Sequence, residues 1–251
     1  MRTLLIVLAL LFFFGAGHAQ RLTIAAASSL NEVMQDLVSA FEARNEGVRI
    51  DLNLAGSATL ATQILQGAPF DIFASANERQ MRAVMSEGLV TSDPVPFATN
   101  RLVVITPTGS PVASVVDLAK EGVLVVLAGP EVPAGAYARE VLARLDSVHG
   151  TGFADTVLAN VVSEEPNVRQ VAAKVMLGEA DAAIVYATDA AILDLNHVTT
   201  LAIDDAYNVL ARYPIAVIET TRHADLAQAF VDFVLSPEGQ SLLATRGFTA
   251  P

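Results

Sequence analysis

The chain contains 251 residues, of which 27 are acidic and 15 are lysine or arginine, so its formal net charge is −12. Nucleic acids and anionic membrane surfaces both require a basic face, and this charge argues against them as partners. Cysteine is absent, which excludes disulfides, thiolate metal sites, a cysteine nucleophile and a lipidated amino-terminal cysteine.

The amino terminus has the pattern of a cleavable export signal. Arg2 precedes an apolar run over residues 4–14, and small residues around Ala19 offer a cleavage point. A membrane-spanning helix needs about 20 apolar residues, and this run is shorter. We therefore expect residues 1–19 to be a signal peptide and the mature protein to lie in the periplasm, with no direct membrane insertion after cleavage.

From residue 22 onwards, short apolar strands alternate with helices. The predicted strands cover residues 22–27, 48–54, 70–74, 102–105, 123–128, 182–187 and 213–219. The predicted helices cover residues 29–41, 57–66, 78–87, 133–145, 168–177, 223–235 and 237–245. Alternation in such short units predicts an α/β fold with mostly parallel sheets and helices on both faces.

Four of these helices begin directly after a strand or turn, and their first turns contain Ser28, Ser57, Ala134 and Val168. A helix start exposes unpaired N–H groups at the positive end of the helix dipole, and in parallel sheets these starts lie beyond the carboxyl ends of the strands. Converging starts therefore predict an anion site that needs no Lys or Arg. Taken singly, each serine is an ordinary helix cap. Tyr186 lies near the end of an apolar strand, and a core tyrosine with a bonded hydroxyl is an equally good interpretation of it.

Enzyme motifs are missing from the sequence. It contains no Gly-x-Ser-x-Gly, no phosphate loop and no Gly-x-Gly-x-x-Gly, and its histidines have no partners at metal-ligand spacing. A secreted hydrolase with Ser28 or Ser57 as nucleophile is the alternative, but no histidine lies in any helix-start motif to serve as its base. The sequence favours a binding protein that is not an enzyme and carries no cofactor.

The same positions carry a family resemblance. The motifs are AAAS at 25–28, SATL at 57–60, GAPFDIF at 67–73, VPAGAY at 132–137, NVR at 167–169, IVY at 184–186 and RGFT at 246–249. With them, the chain resembles the periplasmic molybdate-binding proteins of ABC transporters over essentially its whole mature length. In that family two serines, two backbone N–H groups and a tyrosine hydroxyl bind the oxyanion. The resemblance implies these roles for Ser28, Ser57, Ala134, Val168 and Tyr186.

The resemblance also implies the architecture and the partners. It implies a type II periplasmic binding protein: a monomer with two α/β lobes, a ligand cleft between them, and an inner-membrane ABC permease as partner. Lobe 1 is expected to comprise residues 20–98 and 216–251, and lobe 2 residues 99–215, with crossings near 98–101 and 212–216. Molybdenum would be bound only as the oxyanion. Whether Ser28 or Ser29 supplies the first hydroxyl stays open.

The donor set narrows the choice of ligand. Molybdate is a tetrahedral dianion with only acceptor oxygens, so hydroxyl and N–H donors without a carboxylate suit it. Hydrogen phosphate retains a proton and would need an acceptor. The donor set therefore favours molybdate, tungstate or sulfate over phosphate. Among these anions the resemblance implies molybdate, and tungstate with it, while sulfate and a small carboxylate are the alternatives within the same class of binding protein.

Overall fold

A computed structural model describes residues 20–251 of the protein, and the predicted signal peptide at residues 1–19 lies outside the described residues. The strands are β1 Gln20–Ala27, β2 Val48–Ala55, β3 Ile72–Ala74, β4 Val95–Asn100, β5 Leu102–Pro107, β6 Val125–Ala128, β7 Val161–Glu165, β8 Ala182–Tyr186, β9 Val198–Ala202 and β10 Ala211–Val217. The helices are α1 Asn31–Arg44, α2 Ser57–Leu65, α3 Glu78–Ser86, α4 Pro133–His149, α5 Phe153–Ala159, α6 Val168–Met176, α7 Ala187–Ala191, α8 Ala224–Leu235 and α9 Pro237–Thr245. Short 3-10 turns cover Ser28–Leu30 and Val115–Ala119.

The strands form two five-stranded sheets with matching topology. The orders are β2-β1-β3-β10-β4 in the first sheet and β7-β6-β8-β5-β9 in the second. One strand of each sheet runs antiparallel to both of its neighbours: β10 in the first sheet and β5 in the second. The first three strands of each order are parallel to one another. The two-lobed α/β fold is therefore confirmed. We call the first sheet with its helices lobe 1 and the second lobe 2.

The two antiparallel strands are the ones that enter from the other lobe. The chain leaves lobe 1 at Arg101, between β4 and β5, and returns in the segment 203–210, between β9 and β10. The sequence-based boundaries at 98/99 and 215/216 thus fall inside β4 and β10, because both strands pair along their length within the first sheet. The first crossing, at Arg101, lies within the expected range 98–101, whereas the second lies at 203–210 and not near 212–216.

The core of lobe 1 shows why these residues form a sheet covered on both faces. Successive side chains of a strand point to opposite faces. Accordingly, Ile24 and Ala26 pack in the cluster that contains Phe41 of α1, whereas Ala25 packs with Leu60 of α2 on the other face. The parallel sheet with two covered faces explains the continuous apolar run of β1.

The sequence patterns do not predict five of the elements. They are β4, β7, β9, α5 and α7. Strands β7 and β9 are edge strands with exposed positions, so their sequences lack a clear apolar pattern. Within residues 20–251, none of the helices combines the length and apolar character that a membrane crossing requires.

Candidate functional site

The structure brings all five predicted site residues to one cleft between the lobes. The cleft is narrow and opens to solvent. Its lining consists of Ala27, Ser28, Ser29, Gly56, Ser57, Ala76, Val132, Pro133, Ala134, Val168 and Tyr186. None of these residues is charged, so an occupant would meet only neutral groups of the protein.

Lobe 1 contributes two serines from adjacent strand ends. The parallel register pairs Ala27 with Ala55, so β1 and β2 end at the same level and their following turns both open into the cleft. Ser28 begins the 3-10 turn after β1, and Ser57 is the first residue of α2. The Ser57 hydroxyl accepts a hydrogen bond from the Ala76 N–H at 2.9 Å. Because its oxygen already accepts, its own proton is left to donate into the cleft.

Neighbouring serines differ in their hydrogen bonds. The Ser29 hydroxyl lies 3.3 Å from the Tyr213 hydroxyl, in the buried wall of the cleft. The Ser28 side chain, by contrast, makes no hydrogen bond within the described part of the chain. An unused donor at the cleft suits a ligand better than one already engaged, and this difference favours Ser28 as the first hydroxyl.

Lobe 2 contributes the starts of two helices. In α4 the first in-helix bond runs from the Ala136 N–H to the Val132 carbonyl, so the Ala134 N–H lies before it. In α6 the first such bond runs from the Val171 N–H to the Asn167 carbonyl. The Asn167 side-chain oxygen caps the helix by accepting a hydrogen bond from the Gln170 N–H at 3.1 Å. The N–H group of Val168 is therefore left without an in-helix acceptor. Both helix dipoles present their positive ends to the cleft.

Glycine at position 135 fixes how closely α4 approaches β6. A Cβ at Gly135 would lie 2.1 Å from the Ala128 carbonyl oxygen and 2.2 Å from that of Gly129. Only glycine permits this contact between helix and strand end. The contact places the first turn of α4, including Ala134, directly at the carboxyl end of the strand.

Tyr186 gives the clearest indication that the cleft is a binding site. It is the last residue of β8 and 1% exposed, and its buried hydroxyl has no hydrogen-bond partner. A buried polar group without a partner costs free energy, so it indicates a ligand. Burial raises the pKa of Tyr186 well above its usual value. The hydroxyl therefore stays protonated and can donate, which disagrees with the alternative of a core tyrosine with a bonded hydroxyl.

The charges nearest to the cleft are paired with one another. Arg169 follows Val168 in α6, and its guanidinium contacts the carboxylates of Glu32 and Asp189. No histidine or carboxylate lines the cleft, so the hydrolase alternative has no base there. Throughout residues 20–251, no three His, Asp or Glu side chains are grouped so that they could hold a metal ion.

Sequence reasoning missed two kinds of residue. Ala76, which orients the Ser57 hydroxyl, follows the carboxyl end of β3, and the rule that ligands bind beyond such ends could have identified it. The pairing of Arg169 with Glu32 joins residues 137 positions apart, and no local pattern predicts it.

Comparison with known proteins agrees with the fold. The molybdate-binding protein ModA of Mycobacterium tuberculosis is 37% identical over 235 residues, which are 93% of this chain and 86% of that protein. The periplasmic molybdate-binding protein of Azotobacter vinelandii superposes with a TM-score of 0.79 at 21% identity, covering 92% of this chain and 99% of the other.

The sulfate-binding protein SubI of Mycobacterium tuberculosis superposes with a TM-score of 0.81 at 20% identity, covering 92% and 87% of the two chains. Similarity at this level shows the fold alone. The family described as bacterial extracellular solute-binding protein matches residues 22–249. Since this match spans nearly all of the described residues, the chain belongs to that family of bacterial extracellular solute-binding proteins.

Proposed function

We propose that the protein captures molybdate in the periplasm and delivers it to an inner-membrane ABC permease, with tungstate as an equivalent ligand. The observation that carries this proposal is a cleft that combines several unused donors with a lining free of charged residues. These donors are the hydroxyls of Ser28, Ser57 and Tyr186 and the N–H groups of Ala134 and Val168. The name of the mycobacterial relative supports the same ligand.

The chemistry of the lining favours a fully deprotonated tetrahedral anion. Each oxygen of molybdate accepts hydrogen bonds, and hydrogen bonds to a charged acceptor are shorter and stronger than neutral ones. A carboxylate in the lining would repel the ligand, and none is present. A phosphate that keeps its proton would lack a carboxylate acceptor in the cleft, so we expect it to bind more weakly.

Anion size separates molybdate from sulfate within the same architecture. Sulfate has shorter bonds to oxygen, so a shell of donors fixed on two closed lobes leaves it with stretched contacts on one side. Each hydrogen bond that is poorly made costs about 1 kcal/mol. Molybdate and tungstate are nearly equal in size, and no comparable difference separates them.

The role in import follows from the two lobes. A ligand held between them favours their closure, and a permease can distinguish a closed from an open binding protein. We propose that the protein acts as a monomer, has no catalytic activity and carries residues 1–19 as its export signal. Its cargo is molybdenum in the form of the oxyanion, so no further cofactor is needed.

Calorimetry on ligand-free protein tests the proposal. Titration with molybdate and tungstate should show one site per chain, and excess sulfate or phosphate should compete poorly. Ser28→Ala and Ser57→Ala should each weaken binding by about 1.5 to 3 kcal/mol, or 10-fold to 150-fold. Ser29→Ala is the matched control and should bind nearly like wild type. Displacement of molybdate by equimolar sulfate would instead identify a sulfate receptor, and turnover of an ester would identify a hydrolase.

A further inference from the structure

We propose that Arg169 and Glu32 form a latch across the cleft that holds the lobes closed and sets the rate at which the bound oxyanion leaves. The inference rests on the proposed function, because it concerns the release of that ligand. Neither residue lines the cleft. The latch would therefore act as a pair of positioning residues behind the binding site.

The pair joins the two lobes through a two-pronged contact. Glu32 lies in the first turn of α1 in lobe 1, and Arg169 is the second residue of α6 in lobe 2. The Arg169 Nη1 donates to Glu32 Oε1 at 3.1 Å, and Nη2 donates to Oε2. Paired N–H donors matched to a carboxylate are among the strongest side-chain hydrogen bonds.

The pair is also attached closely to the binding groups. Arg169 directly follows Val168, and Glu32 lies four residues after Ser28, about one helical turn further along. Formation of the pair therefore draws the start of α6 towards the turn after β1. These are the two segments that would hold the ligand from opposite sides.

Asp189 keeps the guanidinium in place from within lobe 2. Its Oδ1 lies 2.7 Å from Arg169 Nε, although the N–H is not aligned for a hydrogen bond, and its side chain is fully buried. Loss of Glu32 would thus leave Arg169 in contact with a partner in its own lobe. For this reason substitution of Glu32 opens the latch without leaving a buried arginine alone.

A second ion pair between the lobes provides the comparison. Arg79 of α3 lies 2.9 Å from Glu131, which precedes α4, and these side chains are 47% and 76% exposed. The side chains of Arg169 and Glu32 are only 25% and 28% exposed. Water screens an exposed ion pair, so such a pair contributes little stabilising free energy, whereas a partly buried bidentate pair contributes more.

The test compares Glu32→Gln with the matched control Glu131→Gln. Each full-length mature protein is loaded with molybdate and chased with excess tungstate, and the retained molybdenum is measured over time by mass spectrometry. We expect Glu32→Gln to speed release by about 5-fold to 30-fold, with little change in the association rate. We expect Glu131→Gln to speed it by about 2-fold at most.

Thermal unfolding separates a latch from a purely structural ion pair. A latch stabilises the closed, ligand-bound form, so Glu32→Gln should lower the melting temperature with molybdate and leave that of the ligand-free protein unchanged. Equal losses in both forms, or release no faster than in Glu131→Gln, would overturn the latch while the proposed function stands. If no oxyanion binds wild type, the proposed function fails and the latch fails with it.

Discussion

Glycine at position 56 should be necessary for closure of the cleft. Gly56 precedes α2 in lobe 1, and its Cα faces the backbone of Pro166 in lobe 2. A Cβ built at this position would lie 2.2 Å from the Pro166 carbonyl oxygen. The backbone carbonyl cannot rotate away as a side chain would, since it immediately precedes the Asn167 cap of α6. Gly56→Ala therefore forces the lobes apart.

The size of the effect follows from this distance. Relief of the clash needs about 1 Å of separation, and hydrogen bonds of about 2.9 Å between ligand and lobe would lengthen to nearly 4 Å, beyond the usual limit. Donors to an anion contribute about 1.5 to 3 kcal/mol each, and lobe 2 supplies at least two of them. We expect Gly56→Ala to weaken molybdate binding by at least about 100-fold.

Gly129→Ala is the matched control for this experiment. A Cβ at Gly129 would lie 3.8 Å from the Val132 side chain, an ordinary contact. Calorimetry should therefore give near wild-type affinity for Gly129→Ala, and the ligand-free melting temperature of Gly56→Ala should stay close to wild type, because the clash exists only when the lobes are closed. Near wild-type affinity of Gly56→Ala would refute the argument from closure.

Three further predictions concern stability and donors. A thousandfold excess of molybdate over its Kd should add about 4 kcal/mol and raise the melting temperature by on the order of 10 °C in a dye-based melt. Tyr186→Phe should weaken binding about 10-fold to 150-fold, yet leave the ligand-free protein at least as stable, because the lost hydroxyl has no protein partner. Burial raises the pKa of Asp189 to about 7, against the opposing charge of Arg169. Its folded-state pKa thus exceeds the unfolded value, and stability should fall by about 1.4 kcal/mol per pH unit from about pH 4 to 7. Asp189→Asn should lack this part of the pH dependence in denaturant titrations.

The sequence predicts most of the fold because its buried strands and capped helices have strong local patterns. β1, α2, α3, α6 and α9 lie within a few residues of their expected positions. The lobe boundaries were misplaced because β4 and β10 are defined by pairing with distant strands, and a proline lies within each. Pairing between distant segments leaves no periodic signal in either of them.

The candidate site can be predicted from the sequence for a related reason. Ser28, Ser57, Ala134 and Val168 are helix-start residues, and parallel strands bring helix starts to one edge of a sheet. No such rule predicts which residues meet between the two lobes. No sequence pattern predicts the role of Gly56, because its contact with Pro166 forms only where the lobes meet.

The neutral lining would let an acidic protein hold the proposed dianion selectively. At physiological salt, charges more than about 8 Å away are largely screened, so the groups that touch the ligand decide its binding. A free guanidinium in the cleft would attract any anion, but Arg169 is directed towards Glu32 instead. Fixed hydroxyl and N–H donors favour only a ligand whose oxygens satisfy them all, since each unpaired buried donor carries a desolvation cost. In the proposed latch, the charge of Arg169 would therefore strengthen closure without lowering the selectivity of the cleft.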